Sequence, residues 1–380
     1  MVDVGGRPTA RSATTPAGKI SPPVAPAGHL ERPRLLGALD DALAAHRTVL
    51  VAAPAGFGKS CLLASWVSHR TTPVAWVSVD GLDDDPGRLA RVLADAVERA
   101  RPGTLTARWT AAADAATSRR VDALLADVEA AGADLTVVLD DVHTLSSATA
   151  RTVLAPLLRY PAMPRVVVAG RHDTTLPVNR MRISGDLGEL RAGALAFTRD
   201  EVAAFARLNG TAADAAGVAT LWDLTQGWPV AVRLAVAAGL LDRDLATVQP
   251  LAGTDVPITG YLVEEVIGTL PPDLASFVLL ASTADALDAD LAEALVPGGS
   301  AALEQCADRG VFLTRAGGQG GQGGLPVYRW HSLVAAHART LLQRRDPAAA
   351  QRAHRVTAEH LRRRDPAAAI THALAGGDPA

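Results

Sequence analysis

The stretch Val49–Trp66, VLVAAPAGFGKSCLLASW, constrains this chain more than any other. An apolar run of strand length enters a glycine-containing turn, and Leu62, Leu63, Trp66 and Val67 then mark one face of a helix. The turn fits the phosphate-loop pattern Gly-x-x-x-x-Gly-Lys-Ser/Thr everywhere except its first position, where Ala53 stands. In such a loop the backbone N–H groups of Ala55 through Cys61 face phosphates at the positive end of a helix dipole. Lys59 reaches the terminal phosphates and the Ser60 hydroxyl ligates Mg²⁺. Gly58 allows close approach, and alanine suits position 53 if its φ is negative. The structural alternative is an ordinary strand-to-helix turn. Of the 37 Lys and Arg residues only Lys19 and Lys59 are lysines. A lysine at this position, in a chain that otherwise uses arginine, points to a task that a planar guanidinium does not fill.

Further strands and helices alternate around the loop. "PVAWVSVD", "LTVVLDD" and "PRVVVAGR" read as strands apolar throughout, separated by helical stretches such as "PGRLARVLADAVERA". Strands of that kind belong to a parallel sheet covered on both faces. The predicted organisation is a tail and lead-in segment over 1–24, an α/β phosphate-loop nucleotide-binding domain over 25–195, and an α-helical subdomain with linker over 196–257. A winged-helix domain follows over 258–343, with "GVFLTR" and "LPVYRWH" as a hairpin joined by "AGGQGGQGG", and the start of an α-helical repeat over 344–380. "RRDPAAAQ" at Arg344 recurs as "RRDPAAAI" at Arg363, each with Asp as N-cap and Pro as first helical residue. Asp378-Pro379 repeats the start of that pattern, so the repeat is expected to continue in a longer protein.

Three further places carry candidate chemistry. Asp140, at the tip of a strand neighbouring the loop, suits a water-mediated hold on Mg²⁺. Asp141 beside it suits orienting or deprotonating an attacking water; the alternative is that both acids cap the next helix. Arg171 ends a strand on the same edge and is placed to sense a γ-phosphate or, equally, to be solvated. "GWP", residues 227–229, opens a helix or forms a turn, and His331 reads first as a structural histidine. The chain has no Asn-Lys-x-Asp element of the kind that recognises guanine, which favours adenine by exclusion.

Composition excludes several classes. With 37 basic against 40 acidic residues, the chain is not a general polyanion binder. Cys61 and Cys306 form neither a disulfide framework nor a metal-ligand spacing, and no stretch is apolar and long enough to cross a membrane. A cytoplasmic location is the expectation.

Together these residues resemble the ATPase module of the STAND class of signal-transducing ATPases, and in particular the MalT-like, large ATP-binding regulators of the LuxR family. The resemblance runs from Lys19 onward through "KISPP", "LERPRLL", "APAGFGKS", "AWVSVDGLDDDP", "VVLDDVH", "GRHDTTLPVNRMR", "LRAGALAFTRDEVAAF", "TQGWPVAV" and "YRWHSLVAAHARTLL". Alanine at the first loop position is usual in that family. The resemblance implies that the loop Ala53, Pro54, Ala55, Gly56, Phe57, Gly58, Lys59, Ser60 and Cys61 binds ATP or ADP. It places Arg32 near the nucleotide, Pro229 against the adenine and His331 at the β-phosphate of ADP. It also implies a slow, Mg²⁺-dependent ATPase acting as a switch: closed and monomeric with ADP, open and self-associating with ATP and an inducer sensed by downstream repeats. The family's terminal helix-turn-helix is not in this chain, so specific DNA binding by it alone is not expected, nor is membrane association. The rival readings are a non-hydrolysing nucleotide-binding scaffold and a phosphate-loop kinase or transferase.

Overall fold

The computed structural model describes residues 15–112, 115–145, 148–172, 176, 178–211, 213–242, 267–268, 270–308, 312–316 and 326–377. The linker "VQPLAGTDVPITG", most of the helix expected at "YLVEEVIGTL", the glycine-rich tip and Asp378-Pro379 lie outside the described residues.

Five strands, β1 (Thr48–Ala52), β2 (Val74–Ser78), β3 (Thr136–Asp140), β4 (Arg165–Gly170) and β5 (Leu187–Arg191), form a sheet in the order β2-β3-β4-β1-β5 with every neighbouring pair parallel. Because strand side chains alternate, β1 feeds both faces: Val49 and Val51 join one apolar core, Leu50 and Ala52 the other. Helices Pro33–Ala45 and Lys59–Ser68 cover the first face, and Pro86–Ala100, Thr117–Ala131 and Ala148–Arg159 the second. Strand β5 is an addition to the four strands legible as apolar runs. It is an edge strand with Glu189 exposed between buried Gly188 and Leu190, and Glu189 pairs with Arg182 and Arg191. Charges on the open face of an edge strand break the apolar run that marks a buried one.

A helical unit follows, with helices Arg199–Leu208, Ala215–Thr225 and Pro229–Ala237. The first opens on a capping box in which Thr198 and Glu201 satisfy one another's backbone N–H groups. Next come helices Pro272–Ala281, Ala289–Leu295 and Gly299–Asp308, then helix Ser332–Arg345. Among them lies an antiparallel sheet of β6 (Ala286–Leu287), β7 (Leu313–Ala316) and β8 (Val327–Trp330) in the order β6-β8-β7. The expected hairpin is therefore one part of a three-stranded sheet. A two-residue strand is too short to leave a periodic trace, and Gly299-Ser300 at the start of a helix reads as a turn. The duplicated sequence yields duplicated caps: Asp346 accepts from Ala349 N at 2.8 Å and Asp365 from Ala368 N at 3.0 Å, each opening a helix (Pro347–Leu361 and Pro366–Ala375).

The lead-in segment is pinned by the other lysine. Lys19 Nζ lies 2.5 Å from Asp80 and 2.7 Å from Asp83, a fully buried carboxylate that also meets Arg88 Nε at 3.2 Å. Truncating Lys19 leaves the Asp83 charge short of a partner in the interior. Lys19→Ala is expected to cost about 3 kcal/mol of folding stability, read as a lowered midpoint of urea unfolding. A midpoint within error of the wild type would show that the lead-in segment adds nothing to the fold.

Candidate nucleotide site at the carboxyl edge of the sheet

All five parallel strands end on one edge, and the residues singled out in the sequence meet there. Ala53 continues β1, with its N–H donating to Gly170 O at 3.2 Å, and its φ is not in the left-handed region. Gly58, at φ +76°, is the N-cap of helix Lys59–Ser68. That backbone shape suits glycine and turns successive N–H groups toward one point.

Lys59 is only 7% exposed, and its ammonium donates to Ala53 O at 2.7 Å and Pro54 O at 3.0 Å. Burial lowers its pKa to about 8, against the attraction of Asp141 and Asp140 and with the repulsion of Arg171. Asp140, 3% exposed at the end of β3, is pushed up to about 6, first by burial and then by the charge of Asp141. The Ser60 hydroxyl donates to its carboxylate, which opposes that rise. Asp141 stands in the left-handed region at φ +58°, its N–H on Asp140 Oδ1 at 3.0 Å. Holding a non-glycine residue there costs on the order of 1 kcal/mol, and the turn aims the two adjacent carboxylates differently, one buried and one half-exposed. Ser60 and Asp140 together form the hard-oxygen donor pair that Mg²⁺ favours. Among the described residues no group of three or more His, Cys, Asp or Glu forms an all-protein metal cage. Such a pair would suit a metal that keeps water and phosphate oxygens as its other ligands.

Arg32 reaches the loop from the residue before helix Pro33–Ala45. It is 5% exposed, donates to Leu195 O at 2.6 Å, and sits 5.2 Å from the centroid of the Phe197 ring. A Cβ on Gly58 would lie 3.3 Å from its guanidinium, and burial brings its pKa down to about 10. Cys61 is half-buried with its thiol pKa raised by burial, so it stays a thiol.

The helical unit closes over the same loop. Pro229 takes the first position of its helix, Trp228 Nε1 donates to Ala55 O at 3.0 Å, and Val230 N donates to Gly56 O at 3.1 Å. The winged-helix unit completes the roof: His331, the N-cap of helix Ser332–Arg345, has Nε2 3.1 Å from Thr225 O and packs edge-on against Trp228 with centroids 5.4 Å apart. Its Nδ1 is buried with no partner among the described residues.

Sequence reasoning picked Pro229 but passed over Trp228 and Val230, whose contacts hold the loop. The signal was present in "GWP", since a tryptophan at a helix start must find a partner for its N–H. His143 and His172 were also passed over: their rings meet edge-on at 6.1 Å, and His143 Nδ1 lies 3.7 Å from Asp141. Burial and the nearby charges of Arg171 and Lys59 push His143 down to about 3, so it is neutral.

Comparison with known proteins agrees with this fold. Residues 263–350 match the MalT winged helix domain. The chain is 32% identical to the serine/threonine-protein kinase PknK of Mycobacterium tuberculosis (strain H37Rv) over 99% of its own length and 34% of that protein. It is 29% identical to the HTH-type transcriptional regulator MalT of Klebsiella pneumoniae (strain 342) over 95% of its own length and 40% of that protein. The chain thus spans about a third to two fifths of the curated relatives it matches. Among solved structures, the Walker-type ATPase PABY2304 of Pyrococcus abyssi superposes with a TM-score of 0.55 at 15% identity, over 82% of this chain and 95% of that one. The fold is that of a phosphate-loop ATPase followed by a winged helix. Over nearly its whole length the chain is MalT-like, and PknK shares the architecture. No helix among the described residues is long and apolar enough to cross a membrane.

The ring of His331 gives this site a pH signature. Burial lowers its pKa to about 4, partly countered by the bond to Thr225, so the folded ring is neutral and the unfolded one protonates below about 6.5. The unfolded state then binds more protons, and stability falls as pH drops from 6.5 towards 4. At pH 5 this one ring accounts for about 2 kcal/mol of that loss. His331→Gln, which does not titrate, is expected to shrink the difference in unfolding free energy between pH 7 and pH 5 by that amount. An unchanged pH dependence would mean that the ring is not neutral and enclosed as described.

Proposed function

We propose that this chain is the nucleotide-binding switch module of a MalT-like regulator, binding ATP and ADP with Mg²⁺ and hydrolysing ATP slowly. One observation carries the reading. Lys59, the Ser60–Asp140 hydrogen bond, Asp141 and Arg171 converge on a phosphate loop whose roof is built by the helical unit and the winged helix together.

The roles follow from where each group sits. Lys59, desolvated and cationic at neutral pH, faces the terminal phosphates and exchanges its loop carbonyls for phosphate oxygens. Ser60 and the ionised Asp140 would hold the metal side, and a bound divalent cation would favour the ionised form of Asp140 against the rise that burial causes. Asp141, half-exposed and aimed by its left-handed backbone, orients or deprotonates the attacking water. Arg171 stabilises charge on the γ-phosphate from the neighbouring strand. Arg32 lies near the nucleotide beside Gly58 and Pro229 borders the base, and bound Mg·ATP supplies the phosphoryl group and the charge that these residues order. His331 spends its one N–H on Thr225 when neutral, so a bond from Nδ1 to a β-phosphate requires the protonated ring, a charge that the phosphate itself favours. In this reading ADP keeps the winged helix docked. ATP with an inducer bound by downstream repeats releases it and permits self-association, and hydrolysis resets the closed form. One relative of this module is named as a kinase and another as a transcriptional regulator, which fits a switch whose output depends on what is joined to it.

Two substitutions test the reading. Lys59→Ala is expected to weaken both ADP and ATP binding by about a hundredfold in calorimetry while leaving the melting temperature nearly unchanged. Affinity within a factor of two of the wild type would refute the loop as the phosphate site. Asp141→Asn is expected to retain Mg·ATP yet slow single-turnover hydrolysis by at least about a hundredfold. Hydrolysis at the wild-type rate would remove Asp141 from the chemistry, and a wild type that binds without any turnover would favour the scaffold reading.

A further inference from the structure

Phe57 lies inside the phosphate loop, at a position the loop pattern leaves free, and it is 7% exposed. Its ring does not face the sheet's core alone. It meets Phe312 of the winged-helix unit with centroids 6.4 Å apart, and Phe312 in turn packs on Trp228 at 4.6 Å. Trp228 is fully buried and holds the loop at Ala55 O. Phe312 also packs edge-on against His331 at 6.0 Å and accepts the His331 N–H on its carbonyl at 2.8 Å. Three units of the chain thus meet at one aromatic cluster packed against the phosphate loop.

The backbone of Phe312 points the same way. Its φ is +48°, and a bulky side chain adopts the left-handed region only where surrounding contacts hold it there. Phe312, 6% exposed, gives its ring to this cluster from just ahead of β7, where a glycine would sit without strain.

We propose that Phe57 is a positioning residue through which the docked winged helix holds the phosphate loop in shape, by way of Phe312. The phosphate-binding consequence rests on the nucleotide reading above; the effect on loop order does not. A loop that is ordered before the ligand arrives binds more tightly than one ordered by it. Docking therefore favours nucleotides through the apolar back of the loop, without regard to how many phosphates they carry. That separates this contact from the bond proposed between His331 and the β-phosphate, which would act on ADP and ATP unequally.

The test uses the whole chain and three variants: Phe57→Ala, Phe312→Ala and the pair. A fourth, Phe312→Gly, removes the ring while relaxing the backbone, and keeps the comparison valid if the alanine variant folds poorly. In nucleotide-free protein, hydrogen exchange of the amides in 55–61 is expected to accelerate about tenfold in Phe312→Ala and Phe312→Gly, with β1 and β3 unchanged. Exchange in 55–61 at the wild-type rate, or equal acceleration in the core strands, would overturn the proposal, since a merely structural contact loosens the protein as a whole. In ADP and ATP titrations each single variant is expected to lose about fivefold in affinity for both nucleotides, and the pair no more than the worse single. Losses that multiply in the pair would overturn it. A wild type that binds neither nucleotide would sink the nucleotide reading, while the exchange comparison still decides the loop contact.

Discussion

The contact on which the rest of this molecule depends is between the phosphate loop and the start of helix Pro229–Ala237. Gly56 has φ +77°, and a Cβ there would fall 2.4 Å from Val230 Cγ1 and 2.8 Å from Trp228 Nε1. The backbones approach so closely that Gly56 O accepts from Val230 N and Ala55 O from Trp228 Nε1. Two loop carbonyls that a free loop would turn to water are thereby satisfied inside the protein. A helical unit that bonds directly to the loop backbone cannot shift without disturbing it. On the proposed reading, a change at the phosphates would be felt by elements that lie outside the sheet.

The apolar core follows the same line. One of the two clusters flanking the sheet runs from Leu35 and Trp66 through Trp228 and Val232 to Phe312, Trp330 and Val334, so sheet, helical unit and winged helix share a continuous interior. The other, built on Leu50, Leu89 and Leu139, belongs to the sheet and its own helices. Motion between units therefore acts on the first core, on the face carrying helix Lys59–Ser68, and leaves the second as a rigid backing.

Much of this was legible in residues. The four apolar strands, the loop, the paired aspartates at a strand tip and the Asp-Pro caps each have a local cause, and each is found where its pattern lies. Ala53 was the apparent defect in the loop, and its backbone keeps out of the region that would demand glycine. Features set by distant partners left little trace. Strand β5 hides its edge position behind Glu189 and Arg191, and β6 is two residues long. Phe312 reads as an ordinary strand-entering aromatic, although its backbone and its ring are set by Phe57, Trp228 and His331, which come from elsewhere in the chain. Pattern finds what neighbours in sequence decide, and the roof over the loop is decided by residues more than 150 positions away.

The electrostatics show why such a site is built from buried groups. Lys59, Arg32 and Asp140 are each nearly enclosed, and each has its pKa moved against its charged form by burial. Enclosure strengthens every interaction these groups make, because little water competes. It also leaves them incompletely compensated by one another: Lys59 rests on loop carbonyls, and Asp140 depends on Ser60 and a backbone N–H. On the proposed reading, phosphate oxygens would give Lys59 a negative partner and a divalent cation would give the two aspartates a positive one. The binding energy of a ligand carrying both would include partners for these desolvated charges. A site of this kind would favour a metal–phosphate pair over either component alone.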